Sequence, residues 1–411
     1  MMPQLLVRSI RSGRNPRTAA NGVLPCSVRW AMLAGVCTQR TRIVPEPQQE
    51  LARLRAELDE IDGALIDMAA RRQSIVADIG RLKHRHRQPT RDFSREREVR
   101  DQARARAAER GLDPELGERL VGAMIEASLT SQERDRLEAV GAGAGRSALV
   151  IGGAGRMGRW FTGFLATQGW AVSVADPAGE VRGVPWHADW REPAREAELV
   201  IVAAPLVATA RILDELVSLR PRGLVVEIGS IKAPVARSLE ALRDAGVAVA
   251  SIHPMFGPDV RLLAGRHVIL VDFGAPEAQA AARTLFEQTS AGLAEMTLEE
   301  HDRLVAWVLG LSHATNIAFF TALAGSGRGV EELAAFSSTT FGAQLRVAAK
   351  VAQENPELYF EIQSTNPHGV APLKALAEAA AAVERTVEAG DAAAFTSLMR
   401  AGARYLEDSR A

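Results

Sequence analysis

The run Ala148-Leu149-Val150-Ile151-Gly152-Gly153-Ala154-Gly155-Arg156-Met157-Gly158-Arg159-Trp160-Phe161 constrains this chain most: an apolar stretch breaks into glycines and resumes as an amphipathic segment. It reads as strand, tight turn and helix. Gly153, Gly155 and Gly158 spell G-x-G-x-x-G around Arg156 and Met157. Glycines so spaced permit the turn, let a pyrophosphate approach the backbone and let the helix pack close to the strand. The phosphates would sit at the helix N-terminus, where free N–H groups and the helix dipole favour anions. A second strand over 170–175 ends at Asp176, roughly 20 residues on, where a carboxylate would hold a ribose 2′-hydroxyl. An acid there favours NAD over NADP.

A length of 411 residues, 47% hydrophobic and 24% charged, describes a soluble chain of two or three domains. A net charge of −1 gives no reason to expect nucleic acid or a membrane surface as partner. No run of about 18 uncharged apolar residues is read, so no transmembrane helix is expected. Cys26 and Cys37 both precede the folded part, which leaves it without disulfides or a Cys-based metal site; no metal is expected, and a reducing cytoplasm suits the chain. Residues 1–45 carry Arg8, Arg11, Arg14, Arg17, Arg29, Arg40 and Arg42 and no acid. Such a leader is an organellar transit peptide, a disordered extension, or the product of a start codon assigned too far upstream.

From Leu51, apolar residues recur in steps of three and four through Leu54, Leu58, Ile61, Leu65, Met68, Ile75, Ile79 and Leu82. This predicts one helix of about 48 Å, too long for a small domain to cover, so a helical dimer is expected. Arg72 occupies an apolar slot in the stripe, and a buried guanidinium needs an anionic partner. Lys83 lies further along the same side; Arg55, about 25 Å before Arg72, reaches the same ligand only from a second, antiparallel protomer. A second helix opens near residues 89–98 with Asp92, Arg95 and Glu96 on one face, and a third, from Asp113 to about Leu137, puts Ser128 and Gln132 one turn apart.

Residues 50–137 resemble the all-helical chorismate mutase domain, which dimerises through its long first helix. The resemblance implies a substrate site formed by Arg55 of the partner subunit with Arg72, Lys83, Asp92, Arg95, Glu96, Ser128 and Gln132. Arg55, Arg72 and Arg95 would hold carboxylates, Lys83 and Gln132 would face the ether oxygen, and Glu96 would take the ring hydroxyl. An intramolecular rearrangement of a dianion needs no nucleophile, only a held conformer and stabilised charge.

Gly141-Ala142-Gly143-Ala144-Gly145 reads as a flexible linker. Beyond it, apolar strands at 198–205, 223–228 and 247–252 alternate with helices, predicting a parallel doubly wound sheet with ligands at its carboxyl ends. Two ends are chemically loaded: Gly229-Ser230-Ile231-Lys232, and His253-Pro254-Met255-Phe256-Gly257-Pro258-Asp259. After about residue 298 helices take over, with His301-Asp302 and Ser312-His313, and a second dimer interface is expected there.

These motifs resemble the prephenate dehydrogenase family over residues 147 to about 400, and the fused order resembles its bifunctional chorismate mutase/prephenate dehydrogenase members of tyrosine biosynthesis. The resemblance implies that His253 draws the proton from the ring C4 hydroxyl as hydride leaves for NAD. His313 is implied as a second catalytic residue, and Ser230 and Lys232 as substrate contacts. Gly342 stands where bifunctional relatives carry a carboxylate-binding arginine, and Arg346, one turn on, is read as its replacement; Ala203-Ala204 stands where the family has a serine. Other readings stay open: arogenate or 4-amino-4-deoxyprephenate as substrate, a helical module serving only dimerisation or end-product sensing, or a generic 2-hydroxy-acid dehydrogenase. The expected layout is a leader over 1–45, a mutase domain over 46–138, a linker over 139–146, a Rossmann NAD-binding domain over 147–297 and an all-α dimerisation domain over 298–411, in a cytoplasmic homodimer acting on chorismate and prephenate.

Overall fold

A computed structural model describes residues 47–86 and 92–408. The arginine-rich leader and both cysteines lie outside the described residues. The described chain divides after Leu65 into two units. The first is the opening of helix α1 (Pro47–Arg85), where Arg53 bridges Glu50 and Glu57 and Leu51, Leu54, Leu58, Ile61 and Leu65 are exposed.

The second unit opens with the rest of α1, whose Met68, Ile75, Ile79 and Leu82 are exposed as well. Helix α2 (Phe93–Glu109) is capped by the carboxylate of Asp92, which accepts the Arg95 backbone N–H at 3.0 Å. Helix α3 (Pro114–Val140) starts at the Asp113 cap with proline in its first turn and stops at Gly141, whose φ of 54° is left-handed. Its far end leaves the helical domain: Leu137 is buried in the core of the α/β domain, among Val150, Phe161 and Leu165.

The glycine-rich segment that composition marks as a flexible linker is a fixed turn. Gly143 N–H donates to the Gln168 carbonyl at 2.7 Å, Gly145 N–H to the Gly169 carbonyl at 2.9 Å, and Arg146 lies over the Trp170 ring. A Cβ on Gly143 would fall 2.4 Å from the Trp170 nitrogen, so glycine serves here for close approach.

Eight strands follow: β1 (Ser147–Ile151), β2 (Ala171–Ala175), β3 (Trp186–His187), β4 (Leu199–Val202), β5 (Leu224–Glu227), β6 (Val249–Pro254), β7 (His267–Asp272) and β8 (Gly292–Thr297), in spatial order β3-β2-β1-β4-β5-β6-β7-β8. Strand β1 shows why its residues are all apolar. Ala148 and Val150 face one buried layer, Leu149 and Ile151 the other, as period-2 side chains in a doubly covered sheet must. The sheet is parallel from β3 through β6, but β7 runs antiparallel to β6, and β8 parallel to β7. The expected parallel doubly wound sheet is thus present in β1, β2, β4, β5 and β6, and β7 extends it in the opposite direction because the connection over 255–266 carries no crossover helix.

The remainder is helical. Leu298–Val305 starts at a capping box formed by Thr297 and Glu300, passes through a π-helical turn at Ala306–Leu311 and continues as Ser312–Gly325. By length and composition this continuous run could cross a bilayer, but its buried His301 and Asp302 pin it to the sheet domain. Helices Val330–Ala335, Thr339–Ala352, Pro356–Thr365, Val370–Glu388 and Ala392–Asp408 complete the domain.

Candidate active sites

In the helical domain the structure joins three of the expected substrate residues between α1 and α3. Arg72 Nη1 donates to Ser128 Oγ at 2.8 Å and to the Met124 carbonyl at 3.0 Å. Gln132 Nε2 donates to the Val76 carbonyl at 3.0 Å, its amide resting against Gly80, where a Cβ would meet it at 3.2 Å. A cavity of about 270 Å³ opens beside Gln132, lined by Gly80, Arg81, Arg85, Asp135 and Arg136. The stripe position of Arg72 is thus half-buried and answered by a hydroxyl and a carbonyl, with no carboxylate. Lys83 and Glu96 are half-buried. Arg95 pairs with Glu98 at 2.6 Å, and Asp92 is engaged as the α2 cap. Arg55, in the first unit, is exposed.

At the nucleotide cradle, each glycine of the motif has a steric reason. A Cβ on Gly158 would lie 2.1 Å from the Gly152 carbonyl oxygen, and one on Gly153 would lie 2.5 Å from Val174. Gly155 is the N-cap of helix Arg156–Thr167 and carries no side chain into the space a phosphate would take. Asp176 directly follows β2 and accepts the Ala154 N–H at 2.9 Å and the Ala178 N–H at 2.8 Å, so the acid ties the glycine loop to the second strand. These residues fit a dinucleotide. Arg156 turns to Asp259 and Glu354, and Met157 packs on the core.

The carboxyl ends of β5 and β6 hold a buried polar chain. His253 Nδ1 lies 2.8 Å from His301 Nε2, and His301 Nδ1 lies 2.8 Å from Asp302 Oδ1. The Asp302 carboxylate accepts the backbone N–H groups of Lys232 at 2.8 Å and Ala233 at 2.7 Å. Burial, then neighbouring His301 and Lys232, hold the His253 imidazole well below its ordinary value; burial lowers His301 too, against the pull of Asp302. Both rings are neutral near pH 7. The packing of Ile231, next to Ser230, with Leu206, Val305 and Ile362 seats the C-terminal helices on these strand ends.

Lys232 corrects a sequence reading. Its ammonium is fully buried and committed to the protein itself, donating to Glu227 Oε2 and to the Ile252 carbonyl, both at 2.8 Å. Glu227, which also accepts from Ser251 Oγ and the Gly229 N–H, was the signal that composition missed: an acid ending an apolar strand, five residues before a lysine. Ser230 is half-buried at the same strand end. His313 stacks on Tyr359 with ring centroids 4.1 Å apart; its Nδ1 is buried without a hydrogen-bond partner, and burial brings its pKa down to about 4. Arg346 comes back toward Gly342, its Nη1 3.7 Å from where a Cβ would stand there.

Three family models match in sequence: chorismate mutase type II over residues 54–133, the prephenate dehydrogenase nucleotide-binding domain over 175–294 and the prephenate dehydrogenase dimerization domain over 297–401. A 4-amino-4-deoxyprephenate dehydrogenase of Streptomyces pristinaespiralis is 31% identical over 263 residues, 61% of this chain and 88% of that protein. The chain belongs to the prephenate dehydrogenase family. It is a bifunctional prephenate dehydrogenase with a chorismate mutase domain ahead of its nucleotide-binding and dimerisation domains. A T-protein of Enterobacter agglomerans is 28% identical over 349 residues, 84% of this chain and 90% of its own length, and so spans both catalytic domains. A crystal structure of prephenate dehydrogenase from A. aeolicus, in complex with hydroxyphenyl propionate and NAD+, shares the prephenate dehydrogenase fold at 16% identity, covering 64% of this chain and 98% of its own, with a TM-score of 0.50.

Proposed function

We propose that the helical domain converts chorismate to prephenate and that the dehydrogenase domain, with NAD, converts prephenate to 4-hydroxyphenylpyruvate. The observation that carries this reading is His253, a buried neutral base at the carboxyl edge of the sheet that also bears the glycine cradle.

In the mutase site Ser128 holds the guanidinium of Arg72, which faces one chorismate carboxylate, and Arg95 and Arg55 of the partner subunit hold the other. Gln132 spends one amide hydrogen on Val76 and keeps a second for the ether oxygen, alongside Lys83. Glu96 takes the ring hydroxyl and Asp92 orders the start of α2. In the dehydrogenase site NAD, when bound, supplies the hydride acceptor. His253 takes the C4 hydroxyl proton as the C4–H bond breaks and its hydrogen departs as hydride; the bond to the ring carboxylate then breaks, CO2 leaves, and the electron pair of that bond completes the aromatic ring. The proton then returns from His253 to the phenolate oxygen, so the base is regenerated. Ser230 and neutral His313 contact the substrate, and Arg346 holds a carboxylate from the place left by Gly342.

The exposed stripe of α1 supports a homodimer, since a second copy would cover Leu58, Ile61 and Leu65. We place the enzyme in the cytoplasm, where chorismate chemistry and a soluble dinucleotide meet. A second reading, an amino group at C4 of the substrate, is favoured by the Streptomyces relative and by Gly342. Rates of NADH formation from prephenate, arogenate and 4-amino-4-deoxyprephenate decide between them: the first reading requires prephenate to have the highest kcat/KM, and a preference for either amine overturns it. Within the first reading, Arg346→Ala raises the KM for prephenate about 10-fold, one lost charge-assisted hydrogen bond's worth.

A further inference from the structure

Asp302 can only accept. Its two oxygens take the backbone N–H groups of Lys232 and Ala233, and an ionised carboxylate so placed has no proton to give. His301 Nδ1, 2.8 Å from Asp302 Oδ1, must therefore carry the hydrogen of that bond. A neutral imidazole with its proton on Nδ1 has a bare Nε2, so the 2.8 Å contact to His253 is made by the hydrogen on His253 Nδ1. That leaves His253 Nε2 with a free lone pair.

We propose that His301 and Asp302 are positioning residues that fix His253 in the tautomer whose Nε2 accepts the substrate's proton, and that Asp302 stabilises the imidazolium formed when it does. The proposal rests on His253 being the base of the dehydrogenase reaction. The logic is that of a buried acid orienting a histidine toward its proton donor, lengthened by one imidazole. The anchors are unusually complete. Two backbone donors hold the Asp302 carboxylate, Asn366 Nδ2 holds its carbonyl at 2.7 Å, and the capping box at Thr297 and Glu300 sets the start of the helix that carries both residues. The charged groups facing the pair from the neighbouring strands are Lys232 and its partner Glu227, which are bound to each other. Asp302 is thus the anion left to answer a protonated His253.

The test compares wild type with Asp302→Asn, His301→Gln and His301→Leu in the full chain, measuring pH profiles of kcat/KM with prephenate, NAD affinity and mutase activity. Asp302→Asn lowers kcat/KM about 100-fold, the scale of general-base assistance, and moves its acid limb to lower pH because the imidazolium has lost its counter-charge. Gln at 301 offers an amide oxygen to His253 Nδ1 and retains at least about 10 times the kcat of Leu, which offers none. NAD affinity and mutase activity stay within about twofold in all three. Equal kcat values for the Gln and Leu variants, or an Asp302→Asn acid limb and kcat/KM indistinguishable from wild type, overturn the proposal. Loss of NAD binding together with kcat makes the pair a structural support and overturns it as well. Wild type that forms no NADH from prephenate instead refutes the dehydrogenase reading on which it rests.

Discussion

Glu133, on the third helix of the mutase domain, accepts the backbone N–H of Leu263 in the nucleotide-binding domain at 2.9 Å. Its other oxygen takes the Ser290 N–H at 2.5 Å, and the whole side chain is buried. The residue beside it, Gln132, is one of those proposed for the mutase site, while Leu263 lies on the loop that leaves the β6 strand of His253. One carboxylate thus joins the two enzymes. Glu133→Ala strands two buried N–H groups and should cost about 3 kcal/mol, read as a lower Tm or as separate unfolding of the two domains. A single transition at the wild-type temperature contradicts this.

Arg72 should be essential to one activity and irrelevant to the other. Arg72→Ala removes a guanidinium held by Ser128 and Met124, and chorismate consumption should fall about 100-fold in kcat/KM. NADH formation from added prephenate should not change. A parallel loss of both activities would mean that Arg72 holds the fold.

Gly158→Ala places a methyl group 2.1 Å from the Gly152 carbonyl oxygen, a contact that only displacement of the glycine loop can relieve. The dissociation constant for NAD, measured by quenching of protein fluorescence, should rise at least about 10-fold, a loss of roughly 1.4 kcal/mol. Mutase activity in the same sample reports that the rest of the chain is intact.

The acid side of the pH profile follows from burial. His253 and His301 titrate below the ordinary 6.5, so with His253 as the proposed base kcat/KM for the dehydrogenase should be flat through neutrality and fall only below pH 6.5. Stability moves the same way. Below 6.5 the unfolded chain binds protons that the buried rings refuse, so unfolding takes up protons and stability falls with falling pH, with His313 contributing down to about 4. Chemical denaturation at pH 7.5 and 5 measures this; equal or greater stability at pH 5 contradicts it.

What was legible in the sequence was local. The apolar period of α1, the glycine turn and the strand ends at 229 and 253 are consequences of short-range sterics and burial, and each stands where spacing places it. The antiparallel β7 escaped because a buried strand reads the same in either direction. The turn at 141–145 escaped because glycines chosen for close approach to Trp170 have the composition of a flexible linker. Lys232 is illegible for a related reason: a strand-end lysine shows its charge in sequence but not the buried Glu227 that claims it. His301 and Asp302 were visible as a motif, yet their link to His253 spans 48 positions and exists only in the fold.

The most direct test gives the purified protein chorismate and NAD together and follows both in time. The account predicts that chorismate disappears, NADH appears and 4-hydroxyphenylpyruvate accumulates in equal amount to NADH. Chorismate loss without NADH, or NADH formation that requires added prephenate, would contradict the claim that one chain performs both steps.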